Sequence, residues 1–312
     1  MTTIQSLHSQ DAPAVAAMRQ AASAHKGEIL GPEARPMFDA MFAAVPAATD
    51  VKVEPATVGG IPGFWVRPHK TVKPGARMLY LHGGGYVLGS AQAVSNFAGQ
   101  IARRAGADTF VPEYRLAPEH PFPAAIDDAV AAYHGLVAAG AERIVVAGDS
   151  AGGGLTLALL SIIGAQKAKG GLQPAGAAVM SPWTDLALTG ASFETRADAD
   201  PIFTRAPLQA FADAYLAGRN ATDPTASPLY AKFDNLPPIR IDVGDDEVLL
   251  DDSVRYAERA QSAGADVALS IWTGMPHVFQ SSLGRIVAAE RSLDGIGEFL
   301  RERLLGASPV RP

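Results

Sequence analysis

Ser150 lies where an apolar run breaks into glycines: Val145-Val146-Ala147-Gly148-Asp149-Ser150-Ala151-Gly152-Gly153-Gly154. Arg143 to Ala147 reads as a buried strand. The residues from Ala151 on, with Leu155, Leu157, Leu159, Leu160, Ile162 and Ile163, read as a helix. The turn between them carries Gly-x-Ser-x-Gly. So sharp a turn strains the serine backbone and is tolerated only where the neighbours lack bulky side chains. Gly148 and Gly152 meet that need. The hydroxyl is then lifted out of the carboxyl end of a sheet with a helix N-terminus behind it, as a nucleophile for acyl transfer requires.

Acyl transfer also needs donors for the oxyanion of the tetrahedral intermediate. Met78 to Leu81 reads as a strand and ends at His82-Gly83-Gly84-Gly85-Tyr86. Consecutive glycines let backbone N–H groups face a cleft without side-chain obstruction. The N–H groups of Gly83, Gly84 and Ala151 are the expected donors, and the His82 ring is expected to orient the loop. A base is the third requirement. In serine hydrolases built on such a turn the chain order is serine, acid, histidine. Of seven histidines only His277 follows Ser150, in a loop just after the apolar run Val267 to Trp272. The acid belongs between them, at the end of a strand. Asp245, Asp246 and Glu247 follow Ile239 to Val243, and spacing does not choose among them. Asp251 and Asp252 read as the N-cap and first turn of the next helix. Asp127, Asp128 and Asp185 read as structural.

The elements that position these residues alternate. Strands are expected at Val51 to Val58, Gly63 to Val66, Met78 to Leu81, Thr109 to Val111, Arg143 to Ala147, Ala177 to Met180, Ile239 to Val243 and Val267 to Trp272. The first two look like an antiparallel start, joined through Gly59-Gly60-Ile61-Pro62. Helices are expected at Ala12 to His25, Glu33 to Val45, Ala91 to Ala105, Ala124 to Ala139, Pro207 to Leu216, Asp251 to Ala263 and Gln280 to Leu305, besides the one after Ser150. Such alternation predicts a mostly parallel, doubly wound, eight-stranded sheet with helices on both faces. Residues 1–48 and 184–224 fall outside the alternation. Both are expected to form a helical cap over the sheet's carboxyl end, on a catalytic domain spanning 49–312.

Composition sets bounds. The chain has 312 residues, 48% hydrophobic and 19% charged, enough to bury a large core. A net charge of −6 gives no basic footprint for nucleic acid. The absence of cysteine excludes disulfides, thiolate catalysis and Cys-ligated zinc. Met1 to Val15 has neither a basic n-region nor an apolar h-region, and Gly152 to Ala165 is too short to span a bilayer. A cytoplasmic enzyme without membrane contact is the expectation. The last strand, Val267 to Trp272, reads as a sheet edge, and an edge invites pairing into a homodimer.

Four motifs together carry a resemblance: His82-Gly83-Gly84-Gly85-Tyr86, the run Tyr114-Arg115-Leu116-Ala117-Pro118-Glu119-His120-Pro121-Phe122-Pro123-Ala124-Ala125, Gly148-Asp149-Ser150-Ala151-Gly152-Gly153, and Ser181-Pro182-Trp183. From about residue 50 to its end the chain resembles the hormone-sensitive-lipase-like group (bacterial family IV) of α/β-hydrolase esterases. That family has Asp-Pro-Leu-x-Asp where this chain has Glu247-Val248-Leu249-Leu250-Asp251. Residue by residue, Glu247 takes the place of the catalytic acid. A subset resembling monoterpene ε-lactone hydrolases carries a similar Glu-Val-Leu-Leu-Asp-Asp run, which brings lactones in beside open-chain esters. The resemblance implies a Ser150–His277–Glu247 triad, an acyl-enzyme intermediate, and no metal or cofactor. Tyr86, Phe203, Leu208, Phe211, Tyr215 and Val278 are candidates for the apolar pocket or, equally, for packed core. A compact cap without a long apolar lid implies short acyl chains. Another class of reading is a non-catalytic small-molecule receptor, like the plant gibberellin receptor, which resembles this family but lacks the triad histidine; His277 argues against it.

Overall fold

The computed structural model describes residues 1–306; the last six residues of the expected 49–312 domain lie outside the described residues. In chain order the elements are β1 (Thr2–Gln5), α1 (Ala12–Ser23), α2 (Arg35–Ala43), β2 (Val51–Val58), β3 (Ile61–Pro68), β4 (Ala76–Leu81), α3 (Ser95–Ala105) and β5 (Asp108–Pro112). Then follow α4 (Ala124–Ala138), β6 (Arg143–Asp149), α5 (Ser150–Ala165), β7 (Gly176–Met180), α6 (Ser192–Thr195), α7 (Arg205–Leu216), β8 (Ile239–Gly244), α8 (Leu250–Ser262), β9 (Val267–Trp272) and α9 (Val287–Leu305).

The strands form one sheet in the order β1-β9-β8-β7-β6-β4-β5-β3-β2. Only β2 with β3 and β3 with β5 are antiparallel. Period-2 alternation gives each strand two apolar faces. In β4, Leu79 and Leu81 join the core with Tyr133 of α4, Leu159 of α5 and Tyr256 of α8. Met78 and Tyr80 join the opposite core with Phe97 and Ile101 of α3 and Leu293 and Ile296 of α9. Helices thus cover both faces, as the near-continuous apolar runs of the parallel strands require. The β2–β3 hairpin turns on Gly59 and Gly60 alone, at φ +60° and +80°, with Val58 paired to Ile61. Glycine is the residue that enters this left-handed turn without strain.

Three expectations change. The sheet has nine strands, not eight: Thr2–Gln5 pairs parallel with Leu269–Trp272. β1 is short and exposed, with Ile4 at 74% exposure, so no apolar run announces it. Its four residues belong to the sheet rather than to a cap. β9 is consequently flanked on both sides, and the free edge on which the homodimer rested is occupied. Finally, the long helix expected from Gln280 begins at Val287; Gly284 at φ +78° interrupts it after the short turn Phe279–Ser282.

β4 leads outward to β5 on one side of the sheet, and β6 leads to β7 on the other, while β4 and β6 lie side by side. Their carboxyl ends therefore flank the crevice where open α/β sheets bind ligands. The glycine loop follows β4 and Ser150 follows β6, with Leu81 in register with Gly148. Segment 184–224 is tied to α1 and the turn after it, and α1 in turn to the loop after β8. Arg19 pairs with Asp246 and donates to the Ala199 carbonyl at 2.6 Å. Lys26 donates to the Ala197 carbonyl at 2.6 Å, and the Gly27 amide to Ile202 at 3.0 Å.

Candidate active site

Ser150 opens α5 at φ +53°, in the left-handed region. The neighbouring glycines are steric necessities. A Cβ on Gly148 would lie 2.4 Å from the Gly152 carbonyl oxygen, and one on Gly152 would lie 2.1 Å from that of Leu81. The Trp183 amide holds the turn by donating to the Ser150 carbonyl at 3.0 Å.

The ends of β6, β8 and β9 bring three sequence-predicted residues together. His277 Nε2 lies 2.9 Å from Ser150 Oγ, and His277 Nδ1 lies 2.7 Å from Glu247 Oε2. A carboxylate beside Nδ1 fixes the proton there, which leaves Nε2 to accept from the serine hydroxyl. Glu247 is wholly buried. Its other oxygen accepts from the Ser181 hydroxyl at 2.8 Å and the Gly244 amide at 2.8 Å. Burial disfavours the imidazolium of His277, but the charge and hydrogen bond of Glu247, with the charges of Asp200 and Asp149, outweigh it and raise its pKa above the ordinary value.

The other acids of this loop are engaged elsewhere. Asp245 accepts from the Gly274 amide at 2.6 Å, and Asp246 pairs with Arg19. Asp251 and Asp252 do stand in the first turn of α8, yet neither caps it. Asp251 accepts from the Ser192 amide at 3.0 Å, and Asp252 from the Thr184 and Asp185 amides at 2.7 and 2.9 Å. Asp128 holds Arg115, and Asp185 accepts from Thr189, Tyr230 and Arg255.

In the glycine loop, the Gly83 amide donates to Asp149 at 3.1 Å. This corrects the expected donor set, since an N–H committed to a buried carboxylate is not free for an oxyanion. The amides of Gly84 and Gly85 have no acceptor among the described residues, and the Ala151 amide, in the first turn of α5, has no intrahelical one. Gly84 at φ +118° tolerates no side chain, since a Cβ would lie 2.2 Å from the Leu88 carbonyl oxygen. Asp149 also accepts from Tyr80 at 2.5 Å, and burial pushes its carboxyl up to about 6 against those hydrogen bonds. His82 is fully buried, stacks on Tyr114 with centroids 4.3 Å apart, and donates to the Gly83 carbonyl at 2.7 Å. Burial lowers its pKa to about 4, so it stays neutral as a loop-orienting ring.

The pocket candidates separate. Phe203 sets its ring edge-on to His277, with centroids 5.1 Å apart. The Phe211 ring lies 2.7 Å from where a Gly85 Cβ would stand. Tyr86 and Tyr215 stack on each other at 3.8 Å, and with Leu208 and Phe211 they are buried in the main core. A cavity of about 100 Å³ reaches His277 between α1 and segment 184–224; of the six candidates only Val278 lines it, beside Met18, Ala22 and Ile202. A larger cavity of about 300 Å³, with Gln100, Arg103, Arg104 and Glu290 in its walls, contains no residue of the Ser150 site. Among the described residues no group of three or more His, Cys, Asp or Glu is arranged to hold a metal ion. No described helix is long and apolar enough to cross a membrane.

Sequence reasoning passed over Ser181. Its hydroxyl donates to Glu247 and accepts from the Val278 amide at 3.1 Å, so one oxygen ties the acid to the residue after His277. The only signal was its place in Ser181-Pro182-Trp183.

A family model described as the α/β-hydrolase fold matches residues 78–281. The chain belongs to that family. It is 40% identical over 247 residues to an acetyl-hydrolase of Streptomyces hygroscopicus, covering 78% of this chain and 81% of the relative. An esterase of Acinetobacter venetianus is 34% identical over 274 residues, covering 86% and 89%. A crystal structure of an esterase from the bacterial hormone-sensitive lipase family superposes with a TM-score of 0.86 at 38% identity, covering 95% of this chain and 99% of that one. Among α/β-hydrolases, the chain is thus of the hormone-sensitive-lipase esterase group.

Proposed function

We propose that this α/β-hydrolase is a serine carboxylesterase that hydrolyses short-chain acyl esters through Ser150, His277 and Glu247. The reading rests above all on the continuous hydrogen-bonded chain from Ser150 Oγ through both nitrogens of His277 to Glu247, at 2.9 and 2.7 Å. The printed names of its relatives, acetyl-hydrolase and esterase, agree with it. Ser150 Oγ attacks the ester carbonyl while His277 Nε2 takes its proton. Glu247 keeps the Nδ1 proton in place and stabilises the imidazolium. The oxyanion is received by the amides of Gly84, Gly85 and Ala151, with Gly85 in the role first expected of Gly83. The imidazolium then protonates the leaving alcohol. Water, deprotonated by His277, cleaves the acyl-enzyme and releases the acid.

Segment 184–224 with α1 and α2 acts as the cap. Phe211 over Gly85 and Phe203 against His277 wall the reacting centre with apolar surface. Tyr86 and Tyr215, stacked and buried, close the space beyond and favour acyl chains of about two to eight carbons. The test is a nitrophenyl ester series on wild type and Ser150→Ala, extended by a small lactone panel. The butyrate should turn over faster than the palmitate, and Ser150→Ala should be silent on both. Faster palmitate turnover overturns the chain-length reading; retained activity in Ser150→Ala overturns the triad.

A further inference from the structure

Asp200 lies in the cap and is wholly buried. Its Oδ1 accepts the amides of Ile202 and Phe203 at 2.7 and 2.9 Å, while its Oδ2 accepts the Val248 amide at 2.8 Å. The first pair is an ordinary turn in which an aspartate binds its own backbone two and three residues on. The third bond is not local. It spans 48 residues and ends on the residue that follows Glu247. Both oxygens act as acceptors, so an amide in this place would set an NH₂ donor against a backbone donor. The same turn carries Phe203, whose ring stands edge-on to His277.

We propose that Asp200 is a positioning residue of the triad, locking the cap onto the Glu247 loop and setting a second negative charge behind the His277 imidazolium. Three carboxylates act on that imidazole: Glu247 from the loop after β8, Asp200 from the cap, and Asp149 from the end of β6. Ser150 and the Phe203 ring occupy its other sides. The imidazolium forms as Ser150 loses its proton, so a charge that favours it lowers the barrier to acylation. Burial raises the Asp200 carboxyl above its usual range, opposed by the three amide bonds.

The inference rests on the triad reading, and the experiment separates the two. The pH dependence of kcat/KM for nitrophenyl acetate is measured on wild type, Asp200→Asn, Asp200→Ser and Ser150→Ala. Titration of the His277 ring is followed in parallel by NMR, with His277→Ala assigning the signal. Loss of a nearby opposite charge should move both the acid limb and the ring titration down by about one pH unit. At the plateau, kcat should fall about 10- to 100-fold with KM changed far less. A limb and ring that stay put in a folded variant overturn the proposal, whatever the loss of kcat, because a scaffold residue would leave them unmoved. Failure of both variants to fold would assign Asp200 to the scaffold and overturn it too. Activity in Ser150→Ala would instead sink the triad, while the ring titration still reads Asp200.

Discussion

The carboxyl end of the sheet and the segment proposed as its cap are held by different forces. At the sheet end, residues of the site itself sit in strained backbone and are joined by a continuous polar network. Ser150, Ser181 and Val278 all sit at positive φ, +53°, +45° and +48°. Each such non-glycine residue costs about 1–3 kcal/mol, and a β-branched valine is a particular outlier. The network Ser150–His277–Glu247–Ser181–Val278 holds them there. The cap is held by apolar packing, as in the Tyr86–Tyr215 stack, and by a few long ties: Arg19 to Asp246, Asp200 to Val248, Asp252 to Thr184. On the proposed function, chemistry belongs to the sheet ends and substrate reach to the cap. Substitutions in the first should depress kcat for all esters alike; those of apolar cap side chains near the reacting centre should change which ester is preferred, whereas Asp200, tied to the residue after Glu247, should behave as part of the first.

The largest effect should come from the sheet ends. Ser150→Ala and His277→Ala should each lower kcat by about 10⁴-fold or more with circular dichroism unchanged, because triad members act as a unit. A variant keeping a tenth of wild-type turnover would break the assignment. Ser181→Ala leaves the Val278 amide and one Glu247 oxygen short of a partner. Lost hydrogen bonds to a charged group are worth about 10- to 100-fold, and kcat should fall by that much with chain-length preference unchanged. A changed preference would blur the division between sheet and cap.

pH tests the electrostatics of the same site. His277 must be neutral to accept the serine proton, and its pKa is raised by Glu247, Asp200 and Asp149 against burial. A raised base pKa means activity is lost earlier as pH falls. The acid limb of kcat/KM should therefore lie above the ordinary histidine value, dropping about tenfold per pH unit below it. A limb well below that value contradicts the ion pair. The smallest effect belongs to the cap. Phe211→Ala opens space over Gly85 and should raise the ratio of octanoate to acetate turnover a few-fold, leaving acetate kcat within about twofold. Equal losses on both esters would place Phe211 with the catalytic scaffold.

What could be read from the sequence follows the same division. Ser150, the glycine loop and His277 were legible because local backbone geometry demands glycine around a strained serine and chain order leaves a single histidine. Which glycine amides stay free was not legible, since Asp149, 66 residues away, decides the fate of Gly83. Ser181 and Asp200 are residues of common type whose partners lie 66 and 48 residues away. The ninth strand escaped because four residues at an edge, three exposed and one half-buried, carry no burial pattern. Leu208 and Tyr215 have the hydrophobicity of a pocket wall and of a core alike, and only packing separates them.

The central claim is that Glu247 is the acid where the family motif carries aspartate. Asp245 and Asp246 share its loop but bind Gly274 and Arg19 instead of His277. The direct measurement is kcat for Glu247→Gln, Asp245→Asn and Asp246→Asn side by side, each checked for folding by circular dichroism. Glutamine keeps the shape but favours the wrong imidazole tautomer, so Glu247→Gln should lose about 10³- to 10⁴-fold while the two asparagine variants lose far less. A larger loss in either asparagine variant, with Glu247→Gln near wild type, would contradict the account and move the acid.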